Sequence, residues 1–201
     1  MSTRLNLIPT PQYVEVKEQG IELAESSGIR IVTGAKPDRK IELAARMLQA
    51  DFDRRAPRLK GGIRLEETAG KGGVSIVLVE EAEAAAQGFP LDMLDREALQ
   101  RSHGQGYVLK TINAQTLCIL GSPQGILYGA MTLLQVVQES DGALKIPGVS
   151  IRDYPHFEFR CAADWLSNGE GNRCSMDRGQ GWDGFEALCK HKIDQCLKYK
   201  I

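Results

Sequence analysis

Cysteine and histidine are among the residue types in this 201-residue chain that could bind a metal or act as a nucleophile. The chain has no C-x-x-C pair, and its widely spaced, odd-numbered cysteines predict neither a disulfide framework nor a standard zinc site: Cys118, Cys161, Cys174, Cys189 and Cys196. Cys189 and Cys196 flank His191, but both lie on the apolar face of a predicted helix, which is typical of buried thiols. No nucleophile signature accompanies His103 or His156, and no H-E-x-x-H motif is present. The sequence therefore predicts no metal site and no cofactor.

The glycine-rich run Gly70–Gly73 resembles a phosphate-binding loop only superficially. It precedes a predicted strand, whereas a Walker loop follows a strand and opens a helix, so we interpret it as a flexible turn. Lys and Arg number 25 against 26 Asp and Glu, which gives a formal net charge of -1. This balance predicts no nucleic-acid partner and no anionic-membrane partner.

The N-terminus, from Met1 to Gln12, is polar and contains two prolines. It lacks the apolar segment of a secretory signal, and no apolar run in the chain is long enough to span a bilayer. As written, the sequence predicts a cytoplasmic protein, although removal of a signal peptide would leave the same pattern.

Hydrophobic periodicity predicts the elements of the first 80 residues. Tyr13–Lys17 and Gly28–Val32 alternate apolar and polar residues, which indicates half-buried strands. Asp38 can cap a helix that ends before Pro57 and whose apolar positions recur at helical spacing: Ile41, Ala44, Ala45, Leu48 and Phe52. Val74–Val79 is β-branched and almost entirely apolar, which predicts a central strand covered on both faces.

The stretch from residue 80 to 105 is broken by a glycine and a proline and is predicted to be mostly loop, although Leu91–Leu99 could be a short helix or an ordered loop. Gly106–Ile112 and Thr116–Leu120 follow as a β-hairpin. Ser122 then caps a second helix, which the apolar spacing carries to Val137. Val149–Ile151 is the last predicted strand. This alternation predicts an α+β fold with a mixed sheet and two covering helices on one face.

A domain boundary is predicted near Asp153–Phe157, where a proline, two aromatic residues and a change of composition coincide. Residues 1–155 form the first predicted domain and residues 156–201 the second. Glu158–Asp164 predicts a short strand, followed by a polar loop and a helix with an apolar face: Phe185, Leu188, Cys189, Ile193, Cys196 and Leu197. Strand, loop and helix make one β/α unit, whereas a whole barrel needs roughly 250 residues.

Four motifs occur in a fixed order along the predicted domain. They are Ile8–Gln12, Gly106–Leu109, the helix motif Tyr-Gly-x-x-Thr-Leu-x-Gln within Gly125–Gln135, and the exit motif Asp-Tyr-Pro-x-Phe-x-x-Arg within Ile146–Arg160. In this order and spacing they resemble the N-terminal accessory domain of glycoside hydrolase family 20 and its relatives, including the family 84 β-N-acetylglucosaminidases. The resemblance covers most of Leu7–Arg160.

The resemblance implies a zincin-like α/β sandwich that supports a (β/α)8 catalytic barrel. Phe159–Asp164 would be barrel strand one and Gly184–Lys198 barrel helix one. Similar enzymes hydrolyse terminal N-acetylhexosamines with the substrate's own acetamido group as the nucleophile, assisted by an adjacent Asp-Glu pair. That pair is expected beyond Ile201, so no catalytic residue is expected in this chain and the chain alone is expected to be inactive.

Two residues are implied to bind substrate. The arginine matching Arg160 points into the sugar pocket in similar enzymes, and a guanidinium offers a planar fork of donors to neighbouring hydroxyls. Asp164 lies at the carboxyl end of the same predicted strand, where barrel active sites collect their residues. A structural ion pair for Arg160 and a loop cap for Asp164 are the alternatives.

The sequence departs from the family pattern after Arg160, in the run Cys161–Asn168 and in the unfamiliar loop of residues 168–182. These departures leave open a related barrel hydrolase of the α-glucuronidase kind. A free-standing carbohydrate-binding or scaffold module is the alternative from another class. A lone barrel unit also leaves strand edges and an apolar helix face uncovered, so self-association or loose packing of residues 157–201 is expected.

Overall fold

The computed structural model describes residues 5–23, 28–57, 62–69, 72–89, 91–101, 103–140, 143–160 and 181–200. The chain divides into two compact units, Met1–Glu158 and Phe159–Ile201. None of the helices in these described ranges is both long and apolar enough to cross a membrane.

The first unit is built on one mixed sheet of eight strands among the described residues. The strands are β1 Tyr13–Leu23, β2 Ile29–Val32, β3 Ile63–Glu66, β4 Val74–Glu80, β5 Tyr107–Asn113, β6 Thr116–Gly121, β7 Gln138–Ser140 and β8 Ala143–Asp153. Their order is β1-β8-β5-β6-β4-β2-β3, and β7 pairs with β8. The pairs among β3, β2, β4 and β6 are parallel, and all pairs made by β5 and β8 are antiparallel. The predicted mixed α+β class is confirmed.

The described helices are α1 Arg39–Arg55, α2 Glu81–Ala84, α3 Met93–Gln100 and α4 Pro123–Val136 in the first unit, and α5 Gly181–Lys198 in the second. α1 and α4 pack against each other on one face of the sheet, as predicted for the two covering helices. Asp38 caps α1 by accepting from the Lys40 N–H at 2.8 Å. Ser122 caps α4 by accepting from the Gly125 N–H at 3.1 Å, with Pro123 in the first turn.

The opposite face of the sheet carries α2 and α3, where the sequence predicted mostly loop. α3 forms because Asp92 and Asp95 make a reciprocal capping box around its first turn. Beneath these helices lies an apolar cluster: Val32, Val77, Val79, Ala84, Leu99, Val108, Cys118 and Leu120. The central strand β4 is therefore buried on both faces, as predicted.

Two short strands were not predicted. β3 lies in the glycine-rich and charged stretch after residue 61 and pairs in parallel with β2 at the edge of the sheet. β7 follows α4 and pairs with the first residues of β8. Both are four residues or fewer, too short for a period-two pattern to be recognised.

In the second unit, α5 occupies the region of the predicted helix. Its predicted apolar face is only partly covered, since Cys189 and Cys196 are half-buried and Ile193 is exposed. Of the predicted strand Phe159–Asp164, Phe159 and Arg160 belong to no strand, and the remaining residues lie outside the described ones. The assignment of this unit to a barrel stays a prediction.

Candidate functional site

The opening segment, Ile8–Gln12, contacts the segment that leaves the sheet, Asp153–His156, which we call the exit segment. The backbone N–H of Gln12 donates to Asp153 Oδ1 at 3.3 Å, and its side-chain Nε2 donates to the Tyr154 carbonyl at 3.3 Å. The same Nε2 lies 3.1 Å from His156 Nε2. Gln12 therefore contacts three residues of the exit segment, one through its backbone N–H and two through its side-chain amide.

A buried tyrosine holds the start of the same segment from inside the sheet. The Tyr107 hydroxyl donates to Asp153 Oδ2 at 3.1 Å and lies 2.6 Å from the Thr132 hydroxyl of α4. Burial, together with the negative charge of Asp153, raises the pKa of Tyr107 well above its ordinary value. The phenol therefore stays protonated and serves as a donor rather than as a catalytic base.

α4 also holds the opening segment directly. Gln135 Oε1 accepts from the Ile8 N–H at 2.9 Å, and Gln135 Nε2 donates to the Ile8 carbonyl at 2.9 Å. This two-point contact mimics a strand pairing and fixes the chain just before Gln12. The Thr and Gln of the helix motif thus each have a partner in another motif.

Two glycines allow α4 to approach the sheet closely. A Cβ at Gly125 would overlap the carbonyl oxygen of Gly106 and lie 2.9 Å from its carbonyl carbon. A Cβ at Gly129 would lie 2.5 Å from Ile119 Cγ2 and 3.0 Å from Tyr107 Cδ2. The close approach expected for these glycines is confirmed, and it brings Thr132 within reach of the tyrosine hydroxyl.

Four charged side chains form a second network on the opposite face, which we call the charged cluster: Asp92, Asp95, Lys110 and Arg152. The Asp95 side chain is fully buried. Its Oδ1 accepts from Arg152 Nε at 2.7 Å, and its Oδ2 accepts from Lys110 Nζ and from the Asp92 N–H. Arg152 Nη2 donates to Asp92 Oδ2 at 2.9 Å. α3 is thereby joined to β5 and β8.

Burial raises the pKa of Asp92, but the Asp95 N–H and the charges of Lys110 and Arg152 outweigh burial and hold this pKa below its ordinary value. Sequence reasoning missed the charged cluster. The D-x-x-D spacing of Asp92 and Asp95 before an apolar helical stretch was the available signal, since it has the form of a capping box.

The carboxylates at the centres of the two networks are fully engaged within the fold. Both oxygens of Asp95 and both oxygens of Asp153 accept hydrogen bonds from protein groups. Within the described ranges, no group of three or more His, Cys, Asp or Glu residues is placed to hold a metal ion. Burial raises the pKa of the Cys118 thiol to about 12, so this cysteine is a core residue and not a nucleophile.

Of the two predicted substrate-binding residues, Arg160 is described and Asp164 lies outside the described residues. Arg160 Nε donates to the Lys200 carbonyl at 2.7 Å, which joins the start of the second unit to the end of α5. The sugar-binding role of both residues stays a prediction.

Comparison with solved structures finds the same fold in three bacterial enzymes. They are the chitobiase of Flavobacterium johnsoniae (22% identity, 78% of this chain and 22% of that chain, TM-score 0.52), the N-acetyl-β-hexosaminidase of Streptomyces plicatus (17%, 77% and 27%, 0.53) and the GH20 β-N-acetylhexosaminidase of Streptomyces coelicolor (20%, 76% and 27%, 0.50). At these identities the likeness shows the fold alone. The chain spans about a quarter of the length of each of these structures.

Comparison of the sequence gives the family. No curated protein sequence matched this chain. Residues 4–154 match glycosyl hydrolase family 20, domain 2, and this range contains the opening segment, both networks and the first residues of the exit segment. The chain therefore belongs to glycosyl hydrolase family 20, and most of its first unit is domain 2 of that family.

Proposed function

We propose that this chain is the N-terminal accessory part of a glycoside hydrolase whose catalytic domain is a (β/α)8 barrel of the β-N-acetylhexosaminidase kind. Residues 1–155 are the accessory domain, and residues 156–201 are the first strand, loop and helix of the barrel. One observation carries the proposal. Four motifs far apart in the sequence converge through Gln12, Tyr107, Thr132 and Asp153 on the exit segment.

The accessory domain acts by fixing the point from which the barrel begins. Asp153 is held by a buried hydroxyl and by a backbone amide, and Tyr154 is held through its carbonyl by Gln12. On the other side, Arg101 Nη1 donates to the Tyr154 hydroxyl at 3.4 Å. An exit segment held from three directions gives the next strand a defined start.

The proposed parent removes terminal N-acetylhexosamines from a carbohydrate with retention of configuration. The substrate's acetamido oxygen attacks the anomeric carbon, one carboxylate orients the acetamido group, and a neighbouring carboxylic acid protonates the leaving oxygen. The chain contains no adjacent Asp-Glu pair, so residues 1–201 alone bind and position but do not hydrolyse. Arg160 and Asp164 contact sugar hydroxyls in the assembled pocket.

The test compares two proteins with a chromogenic N-acetyl-β-glucosaminide: residues 1–201, and the product of the reading frame continued past codon 201. We expect chromophore release only from the longer protein. In the longer protein Arg160→Ala should raise KM, whereas Arg64→Ala, an exposed substitution on β3, should leave KM and kcat unchanged. Hydrolysis by residues 1–201 alone, or an unaltered KM in Arg160→Ala, would contradict the proposal.

Two outcomes of the same experiment favour other functions. Cleavage of an α-glucuronide, with no cleavage of the N-acetylglucosaminide, would assign the parent to an α-glucuronidase-like barrel. This alternative is retained because the sequence departs from the family pattern at Cys161–Asn168. A stop codon directly after Ile201, with retention of the chain on a carbohydrate resin, assigns a stand-alone binding module.

A further inference from the structure

β1 is an edge strand whose first seven residues are exposed on both faces of the sheet. Among the described residues β1 pairs only with β8, so its other edge presents backbone N–H and C=O groups without a strand partner. Every residue of the segment Tyr13–Gln19 is exposed, and only from Ile21 onward does the strand enter the core. An edge of this kind is a template for pairing with another strand.

The side chains of this segment alternate between the two faces. Val14 and Val16 stand opposite Ile151 and Val149 of β8, whereas Glu15 and Lys17 stand opposite Ser150 and Gly148. Val14 and Val16 are 37% and 38% exposed, which is unusual for two valines side by side on one face of a sheet. The other face therefore carries one acidic and one basic side chain, two positions apart.

We propose that β1 is a self-association surface, and that a second copy of this chain adds its own β1 in antiparallel orientation centred on Val16. In this register Val16 lies opposite Val16 of the second copy, and Glu15 lies opposite Lys17 in both directions. The result is a two-fold symmetric pairing in which the sheets of two copies become continuous.

Charge selects this register over the others. In an antiparallel pair, the side chains of facing residues lie on the same face of the sheet. A two-fold axis perpendicular to the sheet must therefore pass through a position at which one residue faces its own copy. An axis through Glu15, Lys17 or Glu18 sets a like charge directly against itself. An axis through Val14 leaves only residues 13–15 in register, because β1 begins at Tyr13. Only the axis through Val16 pairs opposite charges twice and sets Val16 against its own copy, with Val14 facing Glu18.

The ends of the segment limit the length of the pairing. The register of β1 with β8 shifts between Lys17 and Ile21, and Gly20 sits against the Ile146 carbonyl at this irregularity. Such bulges twist a strand away from further pairing. The expected interface is therefore short, and the dimer should be weak and dependent on concentration.

The other edge of the sheet offers a natural comparison. β3 has four residues, and its Glu66 is already engaged by Arg30 at 3.7 Å. Across a two-fold axis through Leu65, Arg64 would face Glu66 of the second copy, whose carboxylate already pairs with Arg30, and so short a strand offers few further contacts. Pairing through β3 is not expected, and substitutions there serve as controls.

The experiment is sedimentation velocity on residues 1–201 over a concentration series, with a charge exchange. Glu15→Lys and Lys17→Glu each turn two attractive pairs into two repulsive ones, so each variant alone should dimerise at least about tenfold more weakly. In an equimolar mixture the first variant carries lysine at both positions and the second carries glutamate at both, so every facing pair again joins opposite charges. The mixture should recover association, and so should the double variant Glu15→Lys/Lys17→Glu.

Register is tested by cross-linking under mild oxidation. Val16→Cys places two thiols opposite each other across the axis, whereas Val14→Cys places its two thiols four residues apart, roughly 13 Å along the strands. A covalent dimer should form with Val16→Cys well above the level seen for Val14→Cys or the unsubstituted chain. Both positions are exposed, so neither substitution disturbs the core.

Four results of these experiments would directly overturn the proposal, and a control result would be a fifth. The four are a monomer at every concentration, a dimer unaffected by either charge reversal, a mixture that stays monomeric, or equal cross-linking at positions 14 and 16. A dimer weakened equally by Arg64→Glu on β3 would also overturn it, because the contact would then involve the other edge.

Discussion

The two faces of the sheet in the first unit are held in different ways. Under α4, the packing depends on glycines and on a buried tyrosine hydroxyl that donates to Asp153. Under α3, it depends on the charged cluster, in which a fully buried carboxylate joins a lysine and an arginine. The two networks meet at consecutive residues of β8, because Arg152 and Asp153 point to opposite faces.

This arrangement shows that the end of β8 is fixed twice by independent chemistry. Arg152 is held by ion pairs whose partners lie on α3 and its cap, and Asp153 is held by a hydroxyl on β5 and an amide of the opening segment. The exit segment begins at this point. Loss of either network should therefore loosen the exit segment. The loss of stability should be larger where a substitution leaves more buried polar or charged groups without a partner.

The largest effect is expected at the centre of the charged cluster. Asp95→Ala leaves Lys110 and Arg152, which are only 17% and 13% exposed, without their main partner. Breaking such a pair from one side costs about 3–5 kcal/mol. Asp92→Ala is the matched control, since Asp92 is 52% exposed and its removal should cost about 1 kcal/mol, the value of a helix cap. Urea unfolding measures both free energies. If Asp95→Ala and Asp92→Ala lost equal amounts, the buried ion pairs of Asp95 would contribute no more to stability than the exposed ones of Asp92.

The next effect tests the opposite face through its glycines. Gly125→Ala forces a Cβ into the backbone of Gly106, which cannot move without shifting the loop before β5, so we expect a loss of about 2–3 kcal/mol. Gly129→Ala meets the side chains of Ile119 and Tyr107 instead, which can yield, and alanine favours the helix by about 1 kcal/mol. Its net loss should be below about 1 kcal/mol. Thermal unfolding followed by circular dichroism ranks the two, and a greater loss for Gly129→Ala would contradict the assigned packing.

The contrast between faces also explains what the sequence could predict. The face under α4 follows from local patterns: period-two strands, a Ser-Pro helix start, and apolar positions at helical spacing up to Val137. The ordered motifs added the expectation that Gly125 and Gly129 lie against the sheet. Each of these signals lies within one short segment of the sequence, so it can be recognised without knowledge of the fold.

The charged face could not be found in the same way. Asp95 and Arg152 are separated by 57 positions, and nothing local distinguishes Lys110 from any other lysine on a strand. Only the capping box before α3 was visible in the sequence, and the glycine and proline around it favoured loop. For the candidate site, Arg160 could be singled out by its motif, but its hydrogen bond to the Lys200 carbonyl depends on the fold.

A smaller effect is expected from the tyrosine hydroxyl. Tyr107→Phe keeps the buried ring but removes the donor to Asp153 and the contact with Thr132, at a cost of about 1–2 kcal/mol. Tyr13→Phe is the control, because Tyr13 is exposed and its hydroxyl lies 3.4 Å from Glu15, so a change within about 0.5 kcal/mol is expected. Hydrogen exchange should rise at Tyr154 and His156 in Tyr107→Phe only. Unchanged exchange there would mean that this hydroxyl does not fix the exit segment.

The smallest effect separates the two faces by pH. The pKa of Asp92 is lowered in the folded protein, so its stabilising contribution is present above the unfolded pKa of about 4 and is lost as the pH falls through the folded pKa. The pKa of Tyr107 is raised by burial, so the unfolded tyrosine ionises first and stability falls as the pH rises above about 10. In Asp92→Asn the melting temperature should therefore depend less on pH in the acid range. In Tyr107→Phe it should depend less on pH in the alkaline range. If one variant weakened the pH dependence in both ranges, the two faces would be coupled through β8 rather than independent, because a single substitution would then alter the proton uptake of both networks.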